Sequence, residues 1–157
     1  PALRAKTHPV DPADPEVQAV ARRMLELMHE ADGVGLAAPQ VALPWRLFVT
    51  NARDHDPVDR VFINPEITLG KEPLEIMEEG CLSLPGIYGD VRRPPAATIA
   101  ATGLDGERFT LELEGFHSRV CQHEFDHLMG VLIIDKMSQL ARLGIRKQLK
   151  ELEAAAR

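Results

Sequence analysis

Apolar residues recur with two distinct periods along this chain, and the periods predict its elements. Val17, Val20, Ala21, Met24, Leu27, Met28 and Ala31 follow a 3.6-residue repeat, the mark of an amphipathic helix. Asp14 suits its N-cap and Pro15 its first turn, where a missing N–H costs nothing; Gly33 reads as its C-terminal stop. Short apolar runs at Trp45–Thr50, Arg60–Asn64 and Pro73–Glu78 predict strands. Ala97–Leu104 and Glu107–Glu114 flank Asp105-Gly106, a two-residue hairpin signal. Phe109, Leu111 and Leu113 alternate with Thr110, Glu112 and Glu114, so that strand wets one face. Gly115 breaks the hairpin. A second helix is predicted from Phe116 to Met129. A third, from Ser138 to Ala155, carries Leu140, Ala141, Ile145, Leu149 and Leu152. Helices and strands do not alternate regularly, which reads as α+β with a mostly antiparallel sheet.

At 157 residues, residues 1–157 fit one domain, long enough to bury roughly 70% of its unfolded surface without disulfide staples. The longest aliphatic run, Val131–Ile134, is far below the roughly 18 residues of a membrane span. The chain opens on Pro1 with no charged-then-apolar leader, so a secreted precursor is not expected and the cytoplasm is. A net charge of −6 and 4% aromatic residues argue against DNA or a base-stacking platform. The charge is uneven: residues 1–135 carry −10 and residues 136–157 carry +4. Two cysteines, Cys81 and Cys121, in a reducing compartment read as ligands or nucleophiles more than as a disulfide.

The chemistry concentrates in three stretches. His123-Glu124-Phe125-Asp126-His127 places two imidazoles four residues apart on one helical face, where both can reach one ion. Glu124, after the first, is set to reach a water beside that ion. The third ligand is not fixed by this pattern. Position 133 is Ile where one protease class has His. Glu151 and Glu153 have the spacing of another class, but they sit in a Lys/Arg-rich helix end. Upstream, Glu79-Gly80-Cys81-Leu82-Ser83-Leu84-Pro85 offers a thiolate bracketed by shaped backbone, a strong ligand for zinc or ferrous iron. Cys121 reads as a buried small hydrophobe. Gly33-Val34-Gly35-Leu36-Ala37-Ala38-Pro39-Gln40 is not a dinucleotide loop, since position 38 is Ala and no strand precedes it. Its glycines permit close backbone approach, and Gln40 is a neutral amide of the kind that holds an oxyanion. Three classes remain open on these residues: a hydrolase using Cys81, a zinc endopeptidase using Glu151 or Glu153, and a non-catalytic metal-stabilised binding module.

Taken together and in this order, Gly33–Gln40, Glu79–Ser83 and His123–His127 match the GxGLAAPQ, EGCLS and HExDH motifs of peptide deformylases without a mismatch, and the chain resembles that family over most of its length. The resemblance implies an α+β fold of mostly antiparallel sheets around a central metal-binding helix, with helices at both ends. It implies removal of the formyl group from N-formylmethionyl peptides of nascent chains, releasing formate. Carried over residue by residue, Cys81, His123 and His127 hold one divalent metal ion, with water in the open fourth position. The family's ion is ferrous iron, though this ligand set also suits Zn²⁺, Ni²⁺ and Co²⁺. Glu124 exchanges the proton, Gln40 and the Leu82 backbone N–H meet the oxyanion, and Gly35 contacts substrate. Val34, Phe116 and Val120 are expected to form the slot for the methionine side chain, and Arg93 to help hold the peptide backbone. Arg142, Arg146, Lys147 and Lys150 are closely spaced, and a basic face there would suit contact with ribosomal RNA.

Overall fold

Leu47-Phe48-Val49-Thr50 is buried at every position, which a strand achieves only when both faces of its sheet are covered. The computed structural model, which describes residues 2–4, 6–137, 142–143 and 145–155, shows what covers them. Strands β1 (Gly35–Ala37), β2 (Leu47–Thr50), β3 (Arg60–Leu69), β6 (Ala96–Thr102) and β7 (Arg108–Glu114) form an antiparallel sheet in the order β1-β2-β3-β6-β7. Helix α1 (Pro15–Glu30) covers one face and helix α2 (Gly115–Leu128) the other. Leu47 and Val49 pack with Val61, Ile63 and the Met24–Met28 stripe of α1. Phe48 points the opposite way, stacks on Phe62 with ring centroids 4.6 Å apart, and joins the cluster of Cys121 and Leu128 on α2.

A second, two-stranded sheet pairs β4 (Glu75–Cys81) with β5 (Leu84–Arg93). Its inner face, Ile87 and Val91, packs on Ile133 and Met137 around the short helix α3 (Ile133–Lys136), and on Ile145. Leu149 and Leu152 of α4 (Arg146–Ala155) close that cluster. The architecture is the expected α+β arrangement with α2 at its centre and helices towards both ends. No helix among the described residues is long and apolar enough to cross a membrane.

Three local expectations are corrected. The first helix does end in a left-handed turn, but Asp32 (φ +54°) takes it, and Gly33 donates back to Met28 O at 2.9 Å. A Cβ at Gly33 would lie 2.8 Å from Leu82 Cδ1, so a side chain there would push the exposed Leu82 side chain aside. Strand β3 runs past Asn64 because a bulge absorbs Asn64 (φ +52°) and Pro65, as bulges commonly do with proline. Asn64 is held by two hydrogen bonds to the backbone of Val10, at 2.9 and 2.7 Å. The Asp105-Gly106 turn is longer than two residues: Gly103 N–H donates to Glu107 O at 2.9 Å and Gly106 N–H to Gly103 O at 3.0 Å, with Gly106 at φ +83°. That is a three-residue loop closed by a left-handed glycine. Residues 138–141 and 144 of the expected third helix, Leu140 and Ala141 among them, lie outside the described residues.

Candidate metal centre

Cys81 ends β4 at the tip of the hairpin, while His123 and His127 rise one helical turn apart from α2. The hairpin and the helix bring one donor atom from each within 4.8 Å of the others. Cys81 Sγ lies 3.3 Å from His127 Nε2, and the two imidazoles meet edge to face at 5.0 Å between centroids. A thiolate and two imidazoles on three sides are a donor set suited to a first-row divalent cation. Two buried polar atoms beside them, Glu124 Oε2 and His127 Nδ1, lack a partner among the described residues. An unpartnered buried carboxylate oxygen next to convergent donors fits a site built for a cation and water rather than for packing. The residues present therefore fit the metal.

Burial and neighbouring charges shift His123, Glu124 and His127 of α2 in different directions. Burial opposes a charged His123, but hydrogen bonds to Cys81 and Glu79, with Glu124 close by, hold its imidazolium up to about 10. Burial and the charge of its neighbour push His127 down to about 3. Burial raises the Glu124 carboxyl to about 7. Its Oε1 lies 3.9 Å from His123 Nε2.

Sequence reasoning missed the scaffold behind His123. Glu79 is buried and accepts from His123 Nδ1 at 3.1 Å, from Arg93 Nε at 2.7 Å and from Arg119 Nη1 at 2.5 Å. Burial alone would raise its carboxyl; His123 and Arg93 instead hold it at about 2. Arg93 also donates to Asp126 Oδ2 at 2.7 Å, and Arg119 to the carbonyls of Val91 and Glu75. The Glu79–His123 bond holds the ring at Nδ1 and leaves Nε2 facing Cys81, the usual task of a carboxylate behind a ligating imidazole. In sequence Glu79 sits among Glu75 and Glu78 and reads as solvated surface. Only its lead position in Glu79-Gly80-Cys81 hinted otherwise.

The donors open onto a cleft of about 630 Å³. Val34, Gly35, Gln40, Cys81, Leu82, Phe116, Val120, His123 and Glu124 all line it, with Met77 and Tyr88 at its hairpin side. His127 lies behind them, 1% exposed. Arg93, expected at the peptide, does not line the cleft; its guanidinium is spent on Glu79 and Asp126. Glu151 and Glu153 are exposed on α4 and do not join the cluster of donors. Cys121 is fully buried, and burial pushes its thiol far up. Gln40 is fixed at both ends: Ala37 N–H donates to its Oε1 at 2.8 Å, and its Nε2 donates to Ser83 Oγ at 2.9 Å and reaches Cys81 Sγ at 3.5 Å. The amide N–H₂ therefore faces the donor cluster.

Comparison with known proteins assigns the chain to a family. Residues 1–143 match the family model described as polypeptide deformylase. The chain is 44% identical over 157 residues to a peptide deformylase of Thermotoga neapolitana, covering 100% of this chain and 94% of that one. It is 40% identical to the chloroplastic peptide deformylase 1B of Solanum lycopersicum, covering 98% of this chain and 56% of the longer plant protein. The solved structure of a Plasmodium falciparum peptide deformylase with an inhibitor superposes with a TM-score of 0.89 at 41% identity, over 98% of this chain and 95% of that one. By fold, by site and by these relatives, the chain belongs to the polypeptide deformylase family, the hydrolases that remove the N-formyl group from newly made peptides.

Proposed function

We propose that Cys81, His123 and His127 hold one divalent cation and that Glu124, Gln40 and Leu82 act beside it on the formyl group of an N-formylmethionyl peptide, releasing formate. The observation that carries this reading is the convergence of three donors within 4.8 Å beside the unpartnered, buried carboxylate of Glu124. When bound, the cation supplies Lewis-acid chemistry, making water nucleophilic near neutral pH and polarising a carbonyl. Glu124, raised to about 7 by burial, is tuned to take a proton from the attacking water and give one to the leaving amine. The Gln40 amide and the Leu82 backbone N–H receive the oxygen that gains charge, a role suited to donors already held in place. Val34, Phe116 and Val120 wall the slot for the methionine side chain, and Gly35 lets the peptide backbone come close. Arg93 holds Glu79, and through it His123, instead of the peptide.

The ion we infer is ferrous iron, on the family resemblance; Zn²⁺, Ni²⁺ and Co²⁺ satisfy the same donors. Iron and thiolate together make air the test, because both are oxidisable: activity of protein purified without oxygen should decay in air, and nickel loading should prevent it. The compartment we infer is the bacterial cytoplasm, on the likeness to bacterial relatives such as that of Thermotoga; the plant relative, named chloroplastic, makes an organelle the second choice. We also infer that nascent chains are met at the ribosome through Arg142, Arg146, Lys147 and Lys150, all exposed, on a segment of +4 attached to a body of −10. Reversing Arg142, Arg146 and Lys150 to Glu should abolish salt-sensitive co-sedimentation with ribosomes. If the native protein does not sediment with ribosomes at low salt, that docking is refuted.

The reaction itself is tested by incubating the loaded enzyme with formyl-Met-Ala, with unformylated Met-Ala and with casein. Formate from the first, and no peptide-bond cleavage in the others, is the expected result. Cleavage of casein without formate release would reverse the reading.

A further inference from the structure

The connection from Asn51 to Asp59, between β2 and β3, belongs to none of the three motifs, yet it touches both banks of the cleft. On one bank, Asn51 N–H donates to Val34 O at 2.8 Å and Arg53 Nη2 donates to Gly33 O at 3.0 Å. Arg53 holds a left-handed backbone (φ +56°), pinned by its N–H on Asn51 Oδ1 at 2.9 Å. Left-handed backbone is uncommon for a residue with a Cβ, so the loop is shaped to aim this guanidinium at Gly33. On the other bank, the His55 ring lies 4.6 Å from the Phe116 ring at an interplanar angle of 32°. Asp56 Oδ2 meets His117 Nδ1 at 3.0 Å and accepts from Arg60 Nε at 3.1 Å, which ties the loop to the first turn of α2. Gly33, Val34 and Phe116 line the cleft; Arg53 and His55 stand behind them.

We propose that this loop sets the width of the slot that receives the substrate's first side chain, with Arg53 and His55 as its positioning residues. The proposal rests on the reading that Val34, Phe116 and Val120 form that slot. Phe116 is only half-buried, so the His55 ring is the surface that keeps its ring from turning into solvent. Arg53 holds the facing carbonyl of Gly33, the residue whose Cα is already closed in by Leu82 Cδ1. Neither side chain touches the donor cluster. Their loss therefore changes fit, not chemistry. An apolar slot discriminates side chains by about ten- to two-hundredfold per methylene-sized difference, so a slackened wall is read in selectivity.

The test measures kcat and KM on formyl-Met-Ala and on its formyl-Phe-Ala analogue for the loaded native enzyme, His55→Ala, His55→Phe, Arg53→Ala and Phe116→Ala. Thermal midpoint and metal content are recorded for each. His55→Ala and Arg53→Ala should raise KM for formyl-Met-Ala about tenfold, at the low end of that range, with kcat nearly unchanged. Both should narrow the preference for Met over Phe, and His55→Phe, which keeps an aromatic face on Phe116, should restore it. General loosening would lower kcat on both substrates alike and leave the ratio where it was. Unchanged selectivity in folded, loaded His55→Ala overturns the proposal, as does an equal effect of His55→Ala and His55→Phe. If Phe116→Ala alters selectivity while the loop variants do not, the slot stands and the loop's role falls. If Phe116→Ala also leaves selectivity untouched, the slot assignment falls and takes this proposal with it.

Discussion

Gly35→Ala is the smallest change that should separate the chemistry from the metal. A Cβ on Gly35 would sit 2.8 Å from Glu124 Cγ and 2.9 Å from both its Cδ and Oε1. Carbon atoms rest at about 3.5–4.0 Å, so the carboxylate would have to retreat by about 0.7 Å. Glu124 is 4% exposed and Gly35 lies on the buried strand β1, so the clash is relieved only by moving the carboxylate from its place beside the donors. Misplacing a catalytic group by about 1 Å can cost about 10²-fold. We expect kcat on formyl-Met-Ala to fall about 30- to 100-fold on this basis, and overpacking to cost about 1–3 kcal/mol of stability. The three atoms nearest the added methyl all belong to Glu124 rather than to a donor, so the metal should remain. The assay is formate release, with bound metal and a thermal melt measured on the same preparation. A folded, metal-loaded Gly35→Ala with kcat within about twofold of native, far from the loss such misplacement causes, would refute the account of why this position is glycine.

Glu124→Gln should keep the metal and lose about 10²-fold or more in kcat, the scale of general acid–base work; near-native turnover would make Glu124 structural. Glu79→Ala leaves Arg93 and Arg119 buried without their shared carboxylate and should cost about 3–5 kcal/mol in urea denaturation; a loss below about 1 kcal/mol, the worth of an exposed pair, would mean the network is not buried as described. Burial lowers the His117 imidazole below its ordinary 6.5, against the pull of Asp56. The unfolded chain therefore takes up that proton first, and the stability this residue contributes is whole above pH 6.5 and declines as pH falls below it. Denaturation midpoints of native and His117→Gln protein, compared from pH 7.5 to 5, should converge in acid; parallel curves would contradict the assignment.

Local signals were sufficient wherever one element explains itself. Helix α1 is marked by its stripe, by Asp14, whose Oδ1 accepts from Glu16 N–H at 2.8 Å, and by Pro15. The two histidines of α2 needed only the helical repeat to be placed together. Strand β5 was missed because Pro85, Gly86 and Gly89 interrupt any alternation. Its extended form is imposed by pairing with β4, and a Cβ at Gly89 would run into the Met137 side chain. Arg93 was misplaced for a related reason. A lone arginine in sequence looks like a surface or substrate contact, and its true partners, Glu79 and Asp126, lie 14 and 33 residues away. Cys81 as third donor was reached through its flanking residues and the family resemblance, since nothing in the spacing from Cys81 to His123 encodes a hairpin folding over a helix.

The central claim is that one cation is shared by Cys81, His123 and His127, and X-ray absorption on the zinc-loaded protein tests it most directly. The expected spectrum has one sulfur near 2.3 Å and two imidazole nitrogens at about 2.0–2.1 Å, with the sulfur lost in Cys81→Ser and retained in Cys121→Ser. A first shell of nitrogen and oxygen alone in the native protein, or a sulfur that survives Cys81→Ser, would contradict it.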